Sequence, residues 1–139
     1  MTLVPLLVAA LAAAAAMPAE AAAQAPAVSA PFTPAVAAGD FVYLSGMLAT
    51  DASGAFVPGD VRAQTARVLD NLAALLAKHG SRMEQVAAVT VYLKNQSDFA
   101  AMNEVYAQYF VADFPARSAV QVAALPRGAS VEIEIVAHY

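Results

Sequence analysis

Cysteine and tryptophan are absent from this 139-residue chain, histidine occurs twice, and only 13% of residues are charged. Without cysteine there is no disulfide framework, no thiol nucleophile and no thiolate metal site. The two histidines and the scattered acids form no cluster at ligand spacing, so no metal is expected. The six glycines never gather into a phosphate-binding loop. Ser45 precedes Gly46, but no Gly-x-Ser-x-Gly element surrounds it and no nucleophilic triad can be assembled. Positive charge is scarce too: seven Lys and Arg against eleven Asp and Glu leave a net charge of −4. There is no basic run, and binding to a phosphate backbone rests on clustered Lys and Arg, so nucleic acid is not expected as a partner.

What is present begins with an apolar leader. Leu3-Val4-Pro5-Leu6-Leu7-Val8-Ala9-Ala10-Leu11 and the alanines through Ala16 form a short apolar run. Ala21-Ala22-Ala23 before Gln24 fits the small-residue rule for signal cleavage. The run is shorter than the ~20 residues a membrane-spanning helix needs. No Lys or Arg precedes it, which departs from the usual signal pattern. Residues 1–23 read as a signal peptide cleaved after Ala23, leaving a periplasmic or secreted domain over 24–139. No stable membrane association is expected once the leader is gone.

The rest reads as one α+β domain. Phe41-Val42-Tyr43-Leu44, ending at Ser45-Gly46, reads as a strand, with a short one around Ala55–Val57. Asp60 is placed to cap a helix running to about His79, and Gly80 to end it. Val61, Val68, Leu72, Leu75 and Leu76 give that helix one apolar stripe. Val86–Leu93 is rich in β-branched residues and reads as a central strand. Ser97 or Asp98 caps a second helix over Phe99–Phe110, and Pro115 forces extended backbone after it. Ser118–Leu125 and Ala129–Ala137 read as two strands joined by Pro126-Arg127-Gly128 as a hairpin. This order predicts a two-layer domain, a mixed sheet with both helices on one face.

Pro115-Ala116-Arg117-Ser118 and Glu132-Ile133-Glu134 carry the candidate chemistry. On this reading they lie on neighbouring strands. A guanidinium fork suits a small carboxylate because it donates two parallel hydrogen bonds. Arg117 fits that role, or that of a strand Arg paired with a structural acid. Glu132 and Glu134 share a face by alternation; periodicity does not choose between them, nor between proton transfer and mere solvation. Ser45, Asn103 and Tyr106 fit a strand end, a polar helix face and the core. His79 suits a helix C-terminus and His138 a strand end.

From Phe32 onward the chain resembles the RidA/YjgF family of reactive-intermediate (enamine/imine) deaminases. The resemblance is carried by Gly39-Asp40-Phe41-Val42-Tyr43-Leu44-Ser45-Gly46, by Val68-Leu69-Asp70-Asn71-Leu72, and by Met102-Asn103-Glu104-Val105-Tyr106. Pro115-Ala116-Arg117-Ser118, Leu125-Pro126-Arg127-Gly128 and Val131-Glu132-Ile133-Glu134 complete it. It implies a chorismate-mutase-like fold, a homotrimer with clefts between subunits, and cofactor-free hydrolysis of 2-aminoacrylate-type imines to 2-keto acids and ammonia. By matching position it makes Arg117 the substrate-carboxylate anchor and Glu132 the residue that handles water or proton. Ser45, Asn103 and Phe32 fall at positions lining the cleft. Phe32 stands where the family often has Tyr, Met47 where it often has Gln, and Ala119 where it often has Cys. Phe32 removes a hydroxyl, and Met47 is expected to make the cleft wall more apolar. The alternative is a trimer that binds a small carboxylate without turning it over.

Overall fold

Alternation of apolar and polar residues builds the sheet, and the apolar half of each inner strand becomes the core. The computed structural model describes residues 30–139, so the expected leader and its cleavage point lie outside the described residues. The strands are β1 (Ala35–Ala38), β2 (Phe41–Met47), β3 (Val86–Leu93), β4 (Ala116–Gln121) and β5 (Val131–His138). The helices are α1 (Val61–Lys78) and α2 (Phe99–Tyr109). The sheet is mixed, in the order β1-β2-β5-β3-β4; only β3 and β4 pair in parallel. The expected two-layer α+β architecture is therefore the one observed.

Val42, Leu44, Val89, Val91, Val131, Ile133 and Ile135 are buried on one sheet face against Val68, Leu69, Leu72 and Leu76 of α1 and Met102 of α2. Each such side chain contributes roughly 1.5–3 kcal/mol of hydrophobic burial. The limits of α1 follow from its caps. Asp60 accepts a hydrogen bond from the Ala63 N–H at 2.8 Å. Gly80, at φ +79°, lets the Ser81 N–H reach back to the Leu76 carbonyl at 3.0 Å. Asp98 precedes α2, but its side chain makes no capping bond there; a 3₁₀ turn at Gln96–Asp98 leads in instead.

Three expectations are corrected. The hairpin between the last two strands does not form: β4 lies parallel to β3 at the sheet edge, while β5 pairs with β3 and β2 in the interior. The physical reason is burial. Every second residue of β5 is buried, so it takes a central place, whereas β4 has no buried residue. A parallel β3–β4 pair needs a crossover, and α2 provides it. Arg117 and the two acids therefore do not sit on neighbouring strands; β3 separates β4 from β5. The expected strand at Ala55–Val57 is reduced to one isolated bridge, Thr50 to Phe56. In addition, β1 is a strand that the pattern did not announce. Its Ala-rich sequence has low strand propensity, and it is held by a tight turn at Gly39 (φ +57°), which folds it back onto β2.

The face of the sheet away from the helices is open. Val36, Tyr43, Val136 and Ala88 lie side by side across it, and Val36 and Tyr43 remain 50% and 48% exposed. Among the described residues, no helix is long and apolar enough to cross a membrane.

Candidate active site

Register places the two principal residues on opposite faces of the sheet. Arg117 on β4 sits opposite Val89, which is buried on the helix side. Its side chain therefore rises on that side, over α2. Glu132 on β5 sits opposite Tyr92, in the alternate register, and so belongs to the open face together with Glu134. Two strand spacings of ~5 Å also separate them laterally. Within one chain, then, the fold brings Arg117 to Asn103 and leaves Glu132 and Ser45 elsewhere.

Arg117 has a built environment. Its Nη1 donates to Asn103 Oδ1 at 2.8 Å. Its guanidinium carbon lies 4.5 Å from the Tyr106 ring centroid and 5.8 Å from that of Phe99. Phe99, Asn103 and Tyr106 stand at i, i+4 and i+7 on α2, the spacing that puts them on one helix face. No carboxylate pairs with Arg117 among the described residues; the ion pairs there are Arg62–Glu104 and Arg82–Glu84. The reading of Arg117 as half of a structural salt bridge is thereby removed. Arg117 borders a hollow of about 300 Å³, lined also by Asn103, Tyr106, Ala107, Phe114 and Pro115. That geometry offers a carboxylate two donors from a group already held in place.

Glu132 has a different environment. Burial and, second, the neighbouring Glu134 raise its carboxyl above the ordinary 4.5. Glu134 accepts a hydrogen bond from the Tyr92 hydroxyl at 3.1 Å, which separates the roles of the two acids that periodicity left equivalent. Burial and that bond push the Tyr92 phenol up. The Glu132 carboxyl lies against the backbone of Gly46, just where β2 changes register between Leu44 and Met47. A Cβ on Gly46 would collide with Glu132 Oε1. A larger residue would fit only if the Glu132 carboxyl moved aside. The sequence alone could not show this, because the pairing of β2 with β5 brings the residues together.

Ser45 donates its hydroxyl to the Thr33 carbonyl at 2.7 Å. It lines a second hollow, about 260 Å³, on the open face with Thr33, Tyr43, Thr90, Glu134 and Val136. Phe32 stands 62% exposed beside Thr33, and lines neither hollow. Met47, expected in the cleft wall, instead packs half-buried against the core because the register change turns it to the helix side. Arg127 ties the loop down by donating to the Gly54 carbonyl at 2.9 Å. His79 is the C-cap residue of α1, and His138 ends β5. Sequence reasoning missed the second part played by Tyr106. It is buried in the core, as expected, and it is also the nearer of the two aromatic rings beside the guanidinium. The i, i+4, i+7 spacing was the available signal.

Fold and site together define a two-layer α+β domain with an acid-free, pre-oriented guanidinium at one sheet edge and half-buried carboxyls on its open face. A family model described as Endoribonuclease L-PSP matches residues 22–139. A RutC family protein of Pyrococcus horikoshii is 45% identical over 109 residues, 78% of this chain and 86% of that one. A 2-iminobutanoate/2-iminopropanoate deaminase of Capra hircus is 45% identical over 108 residues, 77% of this chain and 79% of that one. The crystal structure of RidA from an Antarctic Psychrobacter matches with a TM-score of 0.76 at 38% identity, covering 84% of this chain and 94% of the other. The chain belongs to this family, the RidA/YjgF group that its motifs resemble.

Proposed function

We propose that this protein hydrolyses short-lived 2-imino acids, and their enamine tautomers, to 2-keto acids and ammonia. The observation that carries the reading is the guanidinium of Arg117, free of any acid among the described residues, braced by Asn103 and open to a hollow. The name 2-iminobutanoate/2-iminopropanoate deaminase, borne by a relative at 45% identity, agrees with it. Arg117 holds the substrate carboxylate through two N–H donors. Water adds to the electrophilic carbon of the protonated C=N bond, its oxygen forming the new C–O bond. Glu132 accepts a proton from that water and returns one to nitrogen. The C–N bond then breaks, ammonia leaves, and the remaining hydroxyl becomes the keto oxygen as it loses its proton. A carboxyl raised by burial can exchange protons in both directions nearer to neutral pH. No cofactor enters these steps.

The site is shared between subunits on this reading. Arg117 and Glu132 occupy opposite faces of one sheet, so no single chain can present both to one small molecule. A second copy laid against the open face would cover Val36 and Tyr43 and bring the two groups together; the family resemblance supplies the number three. The test is complementation. Arg117→Ala and Glu132→Gln subunits, each strongly impaired alone, should regain activity when refolded together, because mixed assemblies contain some clefts with both native groups. Absence of any recovery, with mixed assemblies demonstrated by mass, defeats the shared site.

Capture of a small carboxylate without turnover is the second reading, favoured by Phe32, whose ring offers no hydroxyl. Release of ammonia and keto acid from an oxidase-generated imine, measured beside calorimetry with 2-oxobutanoate, separates the two. The nuclease activity in the family description finds little support in a chain with net charge −4. Export to the periplasm or medium belongs to the same proposal and rests on the apolar leader.

A further inference from the structure

The guanidinium of Arg117 is a flexible group on an edge strand, yet the proposed chemistry needs it in one place. Asn103 fixes it at one point only, through Nη1 at 2.8 Å. A single bond leaves the plane free to swing about that contact. The guanidinium carbon lies over the Tyr106 ring, 4.5 Å from its centroid, and this cation–ring contact adds a second support that limits the swing. Phe99 lies farther off, at 5.8 Å. Tyr106 is itself immobilised: it is 4% exposed and stacks against Phe110 at 4.5 Å between ring centroids. Its hydroxyl is buried and has no hydrogen-bond partner among the described residues. A buried, unsatisfied hydroxyl gives the residue no anchoring of its own, so the ring, not the phenol oxygen, is the part that serves Arg117.

We infer that Tyr106 is a positioning residue for substrate binding: its ring face holds the Arg117 guanidinium flat, so that the edge N–H pair meets a substrate carboxylate in line. This rests on the reading of Arg117 as the carboxylate anchor. Tyr106 lines the same hollow as Arg117, but its hydroxyl is buried and offers a substrate no polar contact. It acts through Arg117, so its loss should weaken capture of the acid end while leaving the water and proton steps untouched.

The test compares Tyr106→Phe and Tyr106→Leu with the unaltered protein. Two measurements are made: turnover of an oxidase-generated 2-imino acid, and calorimetric binding of 2-oxobutanoate. Tyr106→Phe keeps the ring and should hold KM and binding within about twofold. Tyr106→Leu should raise KM and weaken 2-oxobutanoate binding by ~5-fold, the scale of one cation–ring contact, with kcat unchanged. Unchanged KM and binding in Tyr106→Leu overturns the inference. An equal loss in Tyr106→Phe also overturns it, since the hydroxyl would then be the active part. If Tyr106→Leu does not fold, Tyr106→Met takes its place, filling similar space without an aromatic face: a raised KM and weaker binding support the inference, and unchanged values overturn it. If the unaltered protein binds 2-oxobutanoate but turns nothing over, weaker binding in Tyr106→Leu still supports the positioning role while defeating the deaminase reading. Neither turnover nor binding by the unaltered protein overturns both.

Discussion

Replacing Arg117 with alanine separates catalytic from structural roles, because the structure assigns it little of the second. The side chain is exposed on an edge strand. Among the described residues it gives up one hydrogen bond to Asn103, a ring contact with Tyr106 and a longer one with Phe99. The hydrogen bond is worth about 0.5–1.5 kcal/mol and the ring contacts about 0.5–1 kcal/mol, so the stability loss should be about 1–2.5 kcal/mol. A domain of this size tolerates that, with a melting shift of roughly 5–10 °C. The functional loss should be larger. Two charge-assisted bonds to a carboxylate, at about 1.5–3 kcal/mol each, give a total near 3–4 kcal/mol once solvent competition is allowed for. That corresponds to ~10²–10³-fold in kcat/KM. Arg117→Lys keeps the charge but not the fork, and should fall between, at about tenfold. The assay is keto-acid release from an imine generated in place by an amino-acid oxidase. The spontaneous rate is subtracted, and folding is checked by circular dichroism. A folded Arg117→Ala protein with kcat/KM within about threefold of the original refutes the reasoning.

Other outcomes follow from the same structure. Burial, then Glu134, raises the Glu132 carboxyl above 4.5, so the native state prefers its protonated form. The stability it confers is fully present below that ordinary value and lost as pH rises through the raised one. Glu132→Gln should therefore unfold at higher urea than the parent at pH 7, with the difference closing near pH 4; a constant difference contradicts this. On the activity side, the acid limb of the pH profile should disappear in whatever activity Glu132→Gln retains. Gly46→Ala should push the Glu132 carboxyl off the β2 backbone and lower kcat by roughly tenfold, a part of the ~10²–10⁴-fold that a well-placed general acid–base supplies. An alanine variant with native kcat shows that the close approach has no functional part. Expressed with its own leader in a bacterium that exports proteins, the protein should have the mass of residues 24–139; full-length mass in the soluble fraction defeats the export proposal.

Much of the architecture could be read from local chemistry. Asp60 and Gly80 bracket α1 because capping needs only the residues at the helix ends. The β-branched run Val86–Leu93 became β3 with the expected ends, and alternation in Val131–Val136 put Glu132 and Glu134 on one face. The second helix ran from Phe99 to Tyr109, one residue short of the expected Phe110. The family motifs, and with them Arg117 as the residue to watch, were equally legible. In each case the determining interactions lie within one turn or one strand.

Only the tertiary structure decided who meets whom. Strand order is set by long-range burial: β5 took the centre because it is the more apolar strand, and this cancelled the hairpin that a Pro-Arg-Gly turn suggested. Register then divided Arg117 from Glu132 across the sheet, turned Met47 inward, and laid Glu132 against Gly46. It also placed Tyr106 beneath Arg117, across a crossover that no periodicity encodes. Side-chain alternation tells which residues share a face of their own strand. Which face meets the helices, and which strand lies alongside, depends on free energy summed over the whole core.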